Sequence, residues 1–275
     1  MVTPTMSQSR PNLHPRRDLS GQLLFLGTGT SVGVPIVGCG CEVCSSGDPR
    51  NQRTRTSVAI GLPEGTLLID TTPDLRTQLL RERLGSVDAV LYTHDHVDHV
   101  YGLDDIRPIC FAAGKPLPVY CEERVEQRIR KAFDYAFETA PTPGGGLPRV
   151  TFQRITAAAF DLLGAHVVPL PLRHGAFHVL GFRFGNLAYC TDTNDIPAET
   201  WPLLDGVHTL ILDCLRPQRH PTHFSLDEAI AVAARVGARR TLFIHMSHDI
   251  EHAQASARLP HGVEFAYDGL TVPLA

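Results

Sequence analysis

The heptapeptide Thr93-His-Asp-His-Val-Asp-His99 contains three imidazoles and two carboxylates, all of them side chains that can bind a metal ion. It directly follows residues 89–92, an apolar run that predicts a buried strand. The polar side chains would therefore lie on the loop at the carboxyl end of a strand, where open α/β sheets place their sites. A polar surface loop with chance histidines is the alternative, but ligands left unpaired beside a buried strand are costly. We therefore interpret this stretch as a metal site.

The order of the ligands within the stretch indicates two ions. His94 and His96 alternate with Asp95, so in an extended segment both imidazoles face the same way. Asp98 and His99 follow after one turn, where they could serve a second ion beside the first.

The composition is that of a globular protein with a sizeable core. The 275 residues are 43% hydrophobic and 20% charged, and this length suits a single two-layered α/β or sandwich unit. A formal net charge of −4 argues against a surface that coats nucleic acid. The noticeable basic cluster, Arg50, Arg53 and Arg55, is interpreted as a solvated edge.

Several features predict a cytoplasmic protein with no membrane contact. No window reaches the roughly 18 consecutive apolar residues of a membrane span. Residues 1–20 are polar and lack the apolar core of a secretory signal, so they predict a disordered tail ahead of a single domain at 21–275. Seven cysteines, an odd number, fit metal-bound or free thiols in a reducing compartment better than a disulfide framework.

Strands and helices follow one another in two halves of the chain. The predicted strands are residues 22–26, 57–60, 66–70, 89–92, 119–121, 165–172, 177–184, 187–191, 209–213 and 241–245. The predicted helices cover residues 72–84, with Thr72 as the N-cap, about 122–137, and a segment from the capping box Ser225-Leu-Asp-Glu228 to about Gly237. This pattern predicts an α/β fold, a four-layered αββα sandwich with the site at one edge between two sheets.

Residues 141–146, Pro-Thr-Pro-Gly-Gly-Gly, form the clearest predicted loop. The aromatic residues ahead of it, Phe133, Tyr135 and Phe137, either belong to a flap over a pocket or pack in a core helix.

Further metal ligands are expected where other strands end. His174, Asp192 and His245 each follow or close a predicted strand. A single polar residue after a strand usually belongs to a turn, but three such residues with ligand side chains indicate that they converge on the histidine-rich loop. Imidazoles suit zinc and other first-row ions, and carboxylates can bridge two ions. Two divalent ions about 4 Å apart can bind a bridging hydroxide and clamp the oxygens of an anionic substrate.

Other polar residues near strand ends are candidates for acid–base or orienting roles. His223 could donate to a phosphoryl oxygen or protonate a leaving alkoxide, and its alternative is a hydrogen bond to a turn carbonyl. His220 has a weaker case for the same role. Asp213 and Asp70 end strands and could orient ligand histidines.

A second metal site is predicted in Cys39-Gly-Cys-Glu-Val-Cys44. Thiolates at Cys39, Cys41 and Cys44 suit a closed tetrahedral zinc site that lacks one ligand, and His248 is the best candidate for it. Free thiols are the alternative. The remaining cysteines lie in or next to apolar runs and are expected in the core: Cys110, Cys121, Cys190 and Cys214.

The segment His94-Asp-His-Val-Asp-His99 resembles the HxHxDH signature of the metallo-β-lactamase superfamily. The resemblance implies a dinuclear metal centre that catalyses hydrolysis, loaded with zinc or, given the carboxylates, manganese. The implied ligands are His94, His96 and His174 for the first ion, Asp98, His99 and His245 for the second ion, and Asp192 as the bridge.

A narrower resemblance rests on Gly27-Thr-Gly-Thr30, the cysteine loop, Asp192 and His245-Met-Ser-His248. Together with the histidine-rich loop they look like the phosphoribosyl cyclic phosphate phosphodiesterases, the PhnP-like family. The resemblance runs from residue 22 to the C-terminus, although residues 122–154 match poorly. It implies a structural zinc on the three cysteines and His248, an assisting role for His223, and a homodimer.

The combined prediction is a metal-dependent hydrolase of a small cyclic or nucleotide-like phosphodiester, in which Asp98 and His223 are catalytic. A bridging hydroxide would attack, and His223 would assist the leaving group. The enzyme alternatives are a nuclease that processes tRNA 3′ ends, and a lactonase or thioesterase. The non-enzymatic alternative is a metal- or redox-sensing module that uses the cysteine loop as its switch.

Overall fold

Alternating apolar residues place each central strand between two layers of side chains. In the first strand, Leu23 and Phe25 face one hydrophobic cluster, whereas Leu24 and Leu26 face another, which is the two-residue period of a strand covered on both faces. The computed structural model describes residues 17–137 and 146–274. Within them the strands are β1 (Gln22–Gly27), β2 (Ser57–Leu62), β3 (Gly65–Ile69), β4 (Ala89–Leu91), β5 (Leu117–Cys121), β6 (Val150–Arg154), β7 (Phe160–Leu162), β8 (Ala165–His174), β9 (Phe177–Phe184), β10 (Leu187–Cys190), β11 (Thr209–Asp213), β12 (Arg240–Ile244), β13 (Val263–Phe265) and β14 (Thr271–Pro273).

These strands form two mixed sheets. Their orders are β14-β1-β2-β3-β4-β5-β6 and β13-β12-β11-β10-β9-β8-β7. In the first sheet β3 to β6 run parallel, and in the second β10 to β13 run parallel. Because the carboxyl ends of parallel strands lie at one edge of a sheet, the polar residues that follow them are brought together.

Helices cover the outer faces of both sheets. They are α1 (Leu75–Arg81), α2 (Val97–Val100), α3 (Arg107–Ala113), α4 (Glu123–Ala132), α5 (Leu226–Val236) and α6 (His252–Ser256). Leu79, Ile109 and Ile129 attach α1, α3 and α4 to the first sheet, and Ala229 attaches α5 to the second. A separate cluster with side chains from both sheets fills the space between them. The predicted four-layered αββα sandwich in a single domain is confirmed.

Helix α5 begins and ends as the sequence predicts. Ser225 Oγ accepts the N–H of Glu228, the Glu228 side chain accepts the N–H of Ser225, and Gly237 closes the helix at φ +69°.

The start predicted for α1 lies about two residues too early, because the helix begins at Leu75. Thr72 Oγ1 nevertheless accepts the N–H of Asp74 at 3.0 Å, which is the contact expected of the predicted N-cap side chain. The preceding backbone is held by the histidine-rich loop, since Thr71 donates its N–H to His99 O at 2.7 Å and accepts from Gly102 N at 2.9 Å. These contacts fix the backbone of Thr71 just ahead of the helix.

The predicted domain boundary lies slightly too late. Leu19 is 2% exposed and packs in the core, so the packed chain includes at least this residue of the predicted tail. Residues 1–16 of that tail lie outside the described residues, as do residues 138–145, which contain most of the predicted loop.

The aromatic residues before that loop belong mainly to the core. Phe133 is buried against the helix layer, and the Phe137 ring lies 5.6 Å from the Phe152 ring. Tyr135 is half-exposed, and its hydroxyl donates to Asp104. The core interpretation is therefore confirmed for Phe133 and Phe137, and the predicted flap falls outside the described residues.

The interpretation of the basic cluster as a solvated edge is wrong for Arg53, which is 1% exposed. Its guanidinium donates to Ser247 O at 2.8 Å, Ile250 O at 2.7 Å and Asn51 Oδ1 at 3.0 Å. Arg53 is charged and buried because it satisfies the carbonyl groups of the loop after β12, a long-range contact that composition does not indicate. Among the described helices, none has the length and hydropathy that crossing a membrane requires.

Candidate metal centres

Two groups made up of the predicted ligand side chains meet at the carboxyl ends of strands from both sheets, and a third group, Asp213, His223 and His245, adjoins them. Within each group the potential ligand atoms lie within 4.8 Å of one another. The first group is His94, His96, His174 and Asp192, and the second is Asp98, His99, Asp192 and His245. Asp192 belongs to both groups, which is the position of a bridging ligand. The structure thus brings together all seven residues that the sequence predicts for the dinuclear site.

Three of the residues at these strand ends have positive φ angles: Asp70 (+63°), Asp192 (+51°) and His245 (+62°). Non-glycine residues rarely adopt this region, and such backbone strain is concentrated at functional sites. Asp70 and His245 directly follow β3 and β12, and Asp192 is the second residue after β10. The left-handed residue ends the strand while its side chain joins the site.

Most of the short distances lie within the second group, where only the distance from His245 Nε2 to Asp98 Oδ2 is as long as 3.9 Å. His99 Nε2 lies 3.3 Å from Asp98 Oδ2 and 3.2 Å from Asp192 Oδ1. His245 Nε2 lies 3.2 Å from Asp192 Oδ2, and His94 Nε2 lies 3.9 Å from the same oxygen. Asp192 Oδ2 therefore faces an imidazole of each group, whereas Oδ1 faces His99 of the second group.

The histidine rings of the first group surround a common point. The His96 ring lies 4.6 Å from the His94 ring and 5.1 Å from the His174 ring, all three in edge-to-face arrangements. His174 Nδ1–H donates to Thr222 O at 2.7 Å, which leaves its Nε2 for a ligand.

Buried imidazole nitrogen atoms without a hydrogen-bond partner indicate whether metal ions fit these groups. The Nε2 atoms of His94, His99 and His245 are buried and have no hydrogen-bond partner, an arrangement that is costly unless another group satisfies them. His99 Nδ1 lies 2.7 Å from Asp70 Oδ2, a carboxylate–histidine pair of the kind that orients metal-binding imidazoles. The residues therefore fit divalent ions, and Asp70 orients a proposed ligand histidine as the sequence predicts.

The electrostatics of the two groups favour bound positive charge. Burial lowers the pKa of His94. Burial would also lower the pKa of His99, but the carboxylates of Asp192, Asp98 and Asp70 outweigh it and raise that pKa. Burial opposes ionisation of Asp192, and His245 and His99 nevertheless lower its pKa. The carboxylates thus stabilise a cationic centre here.

Asp213 is paired with His223 and not with a predicted ligand, which corrects the expected role of this residue. His223 Nδ1 lies 2.6 Å from Asp213 Oδ2, and the carboxylate is fully buried. The His223 ring lies 4.6 Å from the ring of His174 and 4.6 Å from that of His245, so it stands between the two groups. A turn carbonyl, the alternative partner considered from sequence, does not hold this ring.

The second predicted metal site also assembles. His248 Nδ1 lies 3.3, 3.4 and 3.5 Å from the Sγ atoms of Cys39, Cys41 and Cys44. A tetrahedral zinc ion with ordinary bond lengths separates sulfur from nitrogen by roughly 3.5 Å. The N–H of Cys44 lowers the pKa of Cys41 to about 6, which favours the thiolate. The residues therefore fit zinc, and the four other cysteines are buried in the core as predicted.

The opening to the candidate site is a cavity of about 400 Å³, lined among others by Ser31, His96, Asp98, Arg128 and His223. Arg128 was not predicted from sequence. It belongs to α4, which is far from the ligands along the chain, and no local motif identifies it.

The two-sheet sandwich and the clustered ligands define a protein of the metallo-β-lactamase fold, and this fold implies binding of divalent metal ions. Residues 66–246 match the family described as the beta-lactamase superfamily domain. The chain is also 40% identical to a protein whose crystal structure is described as a new diphosphatase from the PhnP family. The two structures superpose with a TM-score of 0.86 over 92% of this chain and 98% of that chain. The chain therefore belongs to the PhnP family of the beta-lactamase superfamily.

Two further proteins are similar to this chain, one over only part of its own length and the other at a lower sequence identity. An octanoyltransferase of Porphyromonas gingivalis is 40% identical over 250 residues, which are 90% of this chain and 50% of that protein. The chain thus spans about half the length of this curated relative. The zinc-bound PqqB of Methylobacterium extorquens has a TM-score of 0.72 at 23% identity, over 92% of this chain and 100% of that chain. This second likeness concerns the fold alone.

Proposed function

We propose that the protein is a metal-dependent phosphodiesterase that acts on a small cyclic or nucleotide-like phosphodiester. The proposal depends on one observation, the position of His223 between the two ligand groups with its Nδ1 on the buried carboxylate of Asp213. This pairing holds Nδ1–H on Asp213 and leaves Nε2 as the nitrogen at the cavity. An alkoxide that leaves phosphorus needs a proton, and the imidazolium form of His223 carries one on Nε2 that it can donate while Asp213 balances the ring's charge.

The metal ligands form the other half of the proposal. Seven side chains would hold two divalent ions: His94, His96, Asp98, His99, His174, Asp192 and His245. Two such ions supply charge neutralisation for the phosphoryl oxygens and a lower pKa for water. The imidazoles favour zinc and the carboxylates admit manganese. The cysteine loop and His248 would hold a third, structural zinc.

Asp98 is proposed to act on the attacking side. Its Oδ2 lies 3.3 Å from His99 Nε2, and the side chain is partly exposed in the cavity. The second oxygen of this carboxylate is then available to accept a proton from attacking water, opposite the leaving group assisted by His223.

Hydrolysis of a diphosphate ester is the second candidate. It is favoured by the likeness to the PhnP-family diphosphatase, at 40% identity over nearly the whole of that chain. Cleavage of such an ester has the same requirements at phosphorus, namely neutralised oxygens and a protonated leaving group. The octanoyltransferase likeness covers half of that protein, and the acyl transfer named for it is not assigned to this chain.

Purified protein loaded with zinc or manganese would be tested against bis(p-nitrophenyl) phosphate, a diphosphate diester, a tRNA precursor, a lactone and a thioester. We expect turnover of the phosphodiester or the diphosphate and none of the lactone or thioester. Because His96 is a proposed ligand, His96→Ala should lose both turnover and bound metal. Full turnover in His96→Ala, or preference for the lactone or thioester, would overturn the proposal. A cytoplasmic location and a homodimer stay predictions.

A further inference from the structure

Two proposed ligands that belong to different metal centres lie three residues apart in the chain. His245 belongs to the dinuclear group, and His248 belongs to the group of the three cysteines. Only Met246 and Ser247 separate them. The backbone between them must therefore direct two imidazoles to two different sites, and a small change in that backbone would displace both.

His245 has a backbone conformation that a histidine does not favour by itself. Its φ angle is +62°, and a non-glycine residue keeps such an angle only where the surrounding contacts over-determine it. Met246 donates its N–H to Thr28 O at 3.0 Å, and Ser247 donates its N–H to Leu215 O at 2.8 Å. These bonds fix the two peptide N–H groups that follow His245, whereas later carbonyl groups of the segment have a different partner.

That partner is Arg53. Its Nη1 donates to Ser247 O at 2.8 Å, and its Nη2 donates to Ile250 O at 2.7 Å and to Asn51 Oδ1 at 3.0 Å. The bond within the turn itself, from Ile250 N–H to Ser247 O, is long at 3.4 Å. The planar guanidinium therefore spans the turn 247–250 and supplies a shorter bond at each of its ends.

The main chain of Arg53 is joined to the cysteine loop. Its N–H donates to Val34 O at 2.7 Å, and its carbonyl oxygen accepts the N–H of Val34 at 2.8 Å. Val34 belongs to a small hydrophobic cluster that also contains the buried Cys44. Arg53 thus connects both parts of the cysteine site, the thiols through its main chain and His248 through its side chain.

Stability alone does not require a charged side chain at this position. In the described part of the chain, the hydrogen-bond partners of the buried Arg53 guanidinium are carbonyl and amide oxygens and no carboxylate. A buried charge costs desolvation free energy that an apolar side chain of similar volume avoids. What the arginine adds is a fixed separation of two carbonyl groups in the turn that carries His248.

We propose that Arg53 is a positioning residue for both metal centres. By fixing residues 247–250, it keeps His245 directed at the dinuclear group and His248 directed at the cysteines. The two centres are then coupled, because a disturbance of this one turn weakens metal binding in both. The inference rests on the proposed function only for the turnover that the ions support, since metal binding is measured without a substrate.

The test uses protein loaded with Co²⁺, which has a sulfur-to-metal charge-transfer absorption at the cysteine site and only d–d bands at the dinuclear site. Wild type and Arg53→Met are challenged with increasing concentrations of a chelator. We expect Arg53→Met to bind metal about 10- to 100-fold more weakly at both centres, the usual effect of losing a group that orients ligands. Arg53→Lys keeps the charge but lacks the planar fork, so it should recover only part of the affinity.

Leu117→Ala is the matched control for lost stability. Leu117 is buried in the cluster between the first sheet and its helices, which contains none of residues 245–250. Removing a buried leucine side chain costs substantial stability, but this variant should release both kinds of bound metal at the same chelator concentrations as the wild type.

Wild-type affinity at either centre in Arg53→Met, or an equal loss of affinity in Leu117→Ala, would overturn the inference. If Arg53→Met does not fold, Arg53→Lys decides: earlier release from both centres supports the inference, and wild-type retention rejects it. Failure of the proposed reaction is a separate result. A metal-loaded wild type that cleaves no phosphodiester or diphosphate would reject the proposed function, while weaker metal binding by Arg53→Met would still support the positioning role.

Discussion

His223 Nδ1 lies 2.6 Å from Asp213 Oδ2, a carboxylate with no exposure to solvent. Asp213 closes β11 and His223 precedes α5, so the pair joins a sheet to the helix layer that covers it. Thr193 N–H also donates to Asp213 Oδ2 at 3.2 Å, which holds the carboxylate in place. The ring of His223 is thereby oriented toward the metal ligands by groups that do not themselves reach the cavity.

His223→Ala should lower kcat by about 10²- to 10⁴-fold, the usual contribution of a positioned general acid. Bound metal should stay at the wild-type level, because His223 is not among the proposed ligands. Asp213→Asn should lower kcat less, by about 10- to 100-fold, since it weakens only the orientation of the imidazole. Steady-state kinetics with metal analysis measure both effects.

His220→Ala is the control for this pair. The His220 ring lies 5.3 Å from that of His223, but its Nδ1 contacts only Thr222. The variant should retain most activity. If His220→Ala lost as much activity as His223→Ala, His223 could not be identified as the residue that gives a proton to the leaving group.

Asp70→Asn should weaken binding of one active-site ion by about 10- to 100-fold, because Asp70 orients His99 through a 2.7 Å contact. Activity of the variant should recover when excess metal is added, which a purely structural defect would not allow. Titration of chelated apoprotein with zinc measures the affinity.

Asp268→Asn provides a matched control for the cost of replacing a buried aspartate. Asp268 accepts hydrogen bonds from Thr28 and Thr54 and contacts none of the proposed ligands. The Asp268→Asn variant should be less stable than the wild type but should bind zinc with unchanged affinity. A loss of affinity equal to that of Asp70→Asn would mean that general destabilisation explains both variants.

The sequence predicts those parts of the site that depend on local chain order. Ligands at strand ends converge because strands that run in the same direction end at a common edge, and His174, Asp192 and His245 could be found in this way. The pairing of Asp213 with His223 could not be found in this way, because the position of a residue at a strand end does not show which of several histidines its side chain faces. Arg53 and Arg128 were missed for a related reason: their partners lie 194 residues and 33 residues away in the chain.

Arg53→Met should lower the free energy of unfolding by about 2 to 4 kcal/mol, because it leaves two buried carbonyl groups without a donor. Burial lowers the pKa of Arg53 to about 10, so the guanidinium is still charged at neutral pH. Arg50→Met, at an exposed arginine that pairs with Asp48, should cost less than about 0.5 kcal/mol. Urea unfolding of both variants measures these losses. Equal losses in the free energy of unfolding would contradict the role assigned to Arg53.

Cys41→Ser should reduce the metal content from about three ions per chain to about two and should destabilise the protein, because a structural zinc contributes on the order of 10 kcal/mol that is coupled to folding. Cys110→Ser, at a buried cysteine outside the predicted site, is the control. Its metal content should be that of the wild type. Unchanged metal content in Cys41→Ser would show that the cysteine loop is not a zinc site.

His252 should make stability fall at acidic pH. The ring is buried, its Nδ1 has no hydrogen-bond partner, and burial, aided by Arg50 and Arg53, lowers its pKa to about 4. The unfolded chain binds a proton near the ordinary pKa of about 6.5, whereas the folded chain does not, so stability is fully present above pH 6.5 and is lost as the pH falls toward 4.

The corresponding loss between pH 7 and pH 5 is on the order of 2 kcal/mol for this one group. His252→Leu removes the titrating group, so lowering the pH from 7 to 5 should cost the wild type about 2 kcal/mol more stability than it costs the variant. The variant should therefore gain stability relative to the wild type at pH 5, whatever leucine costs at neutral pH. Comparing the two proteins cancels the titration of the metal ligands, which both share. Denaturant unfolding at the two pH values tests this, and a difference in stability that stays constant with pH would mean that His252 is not buried in its neutral form.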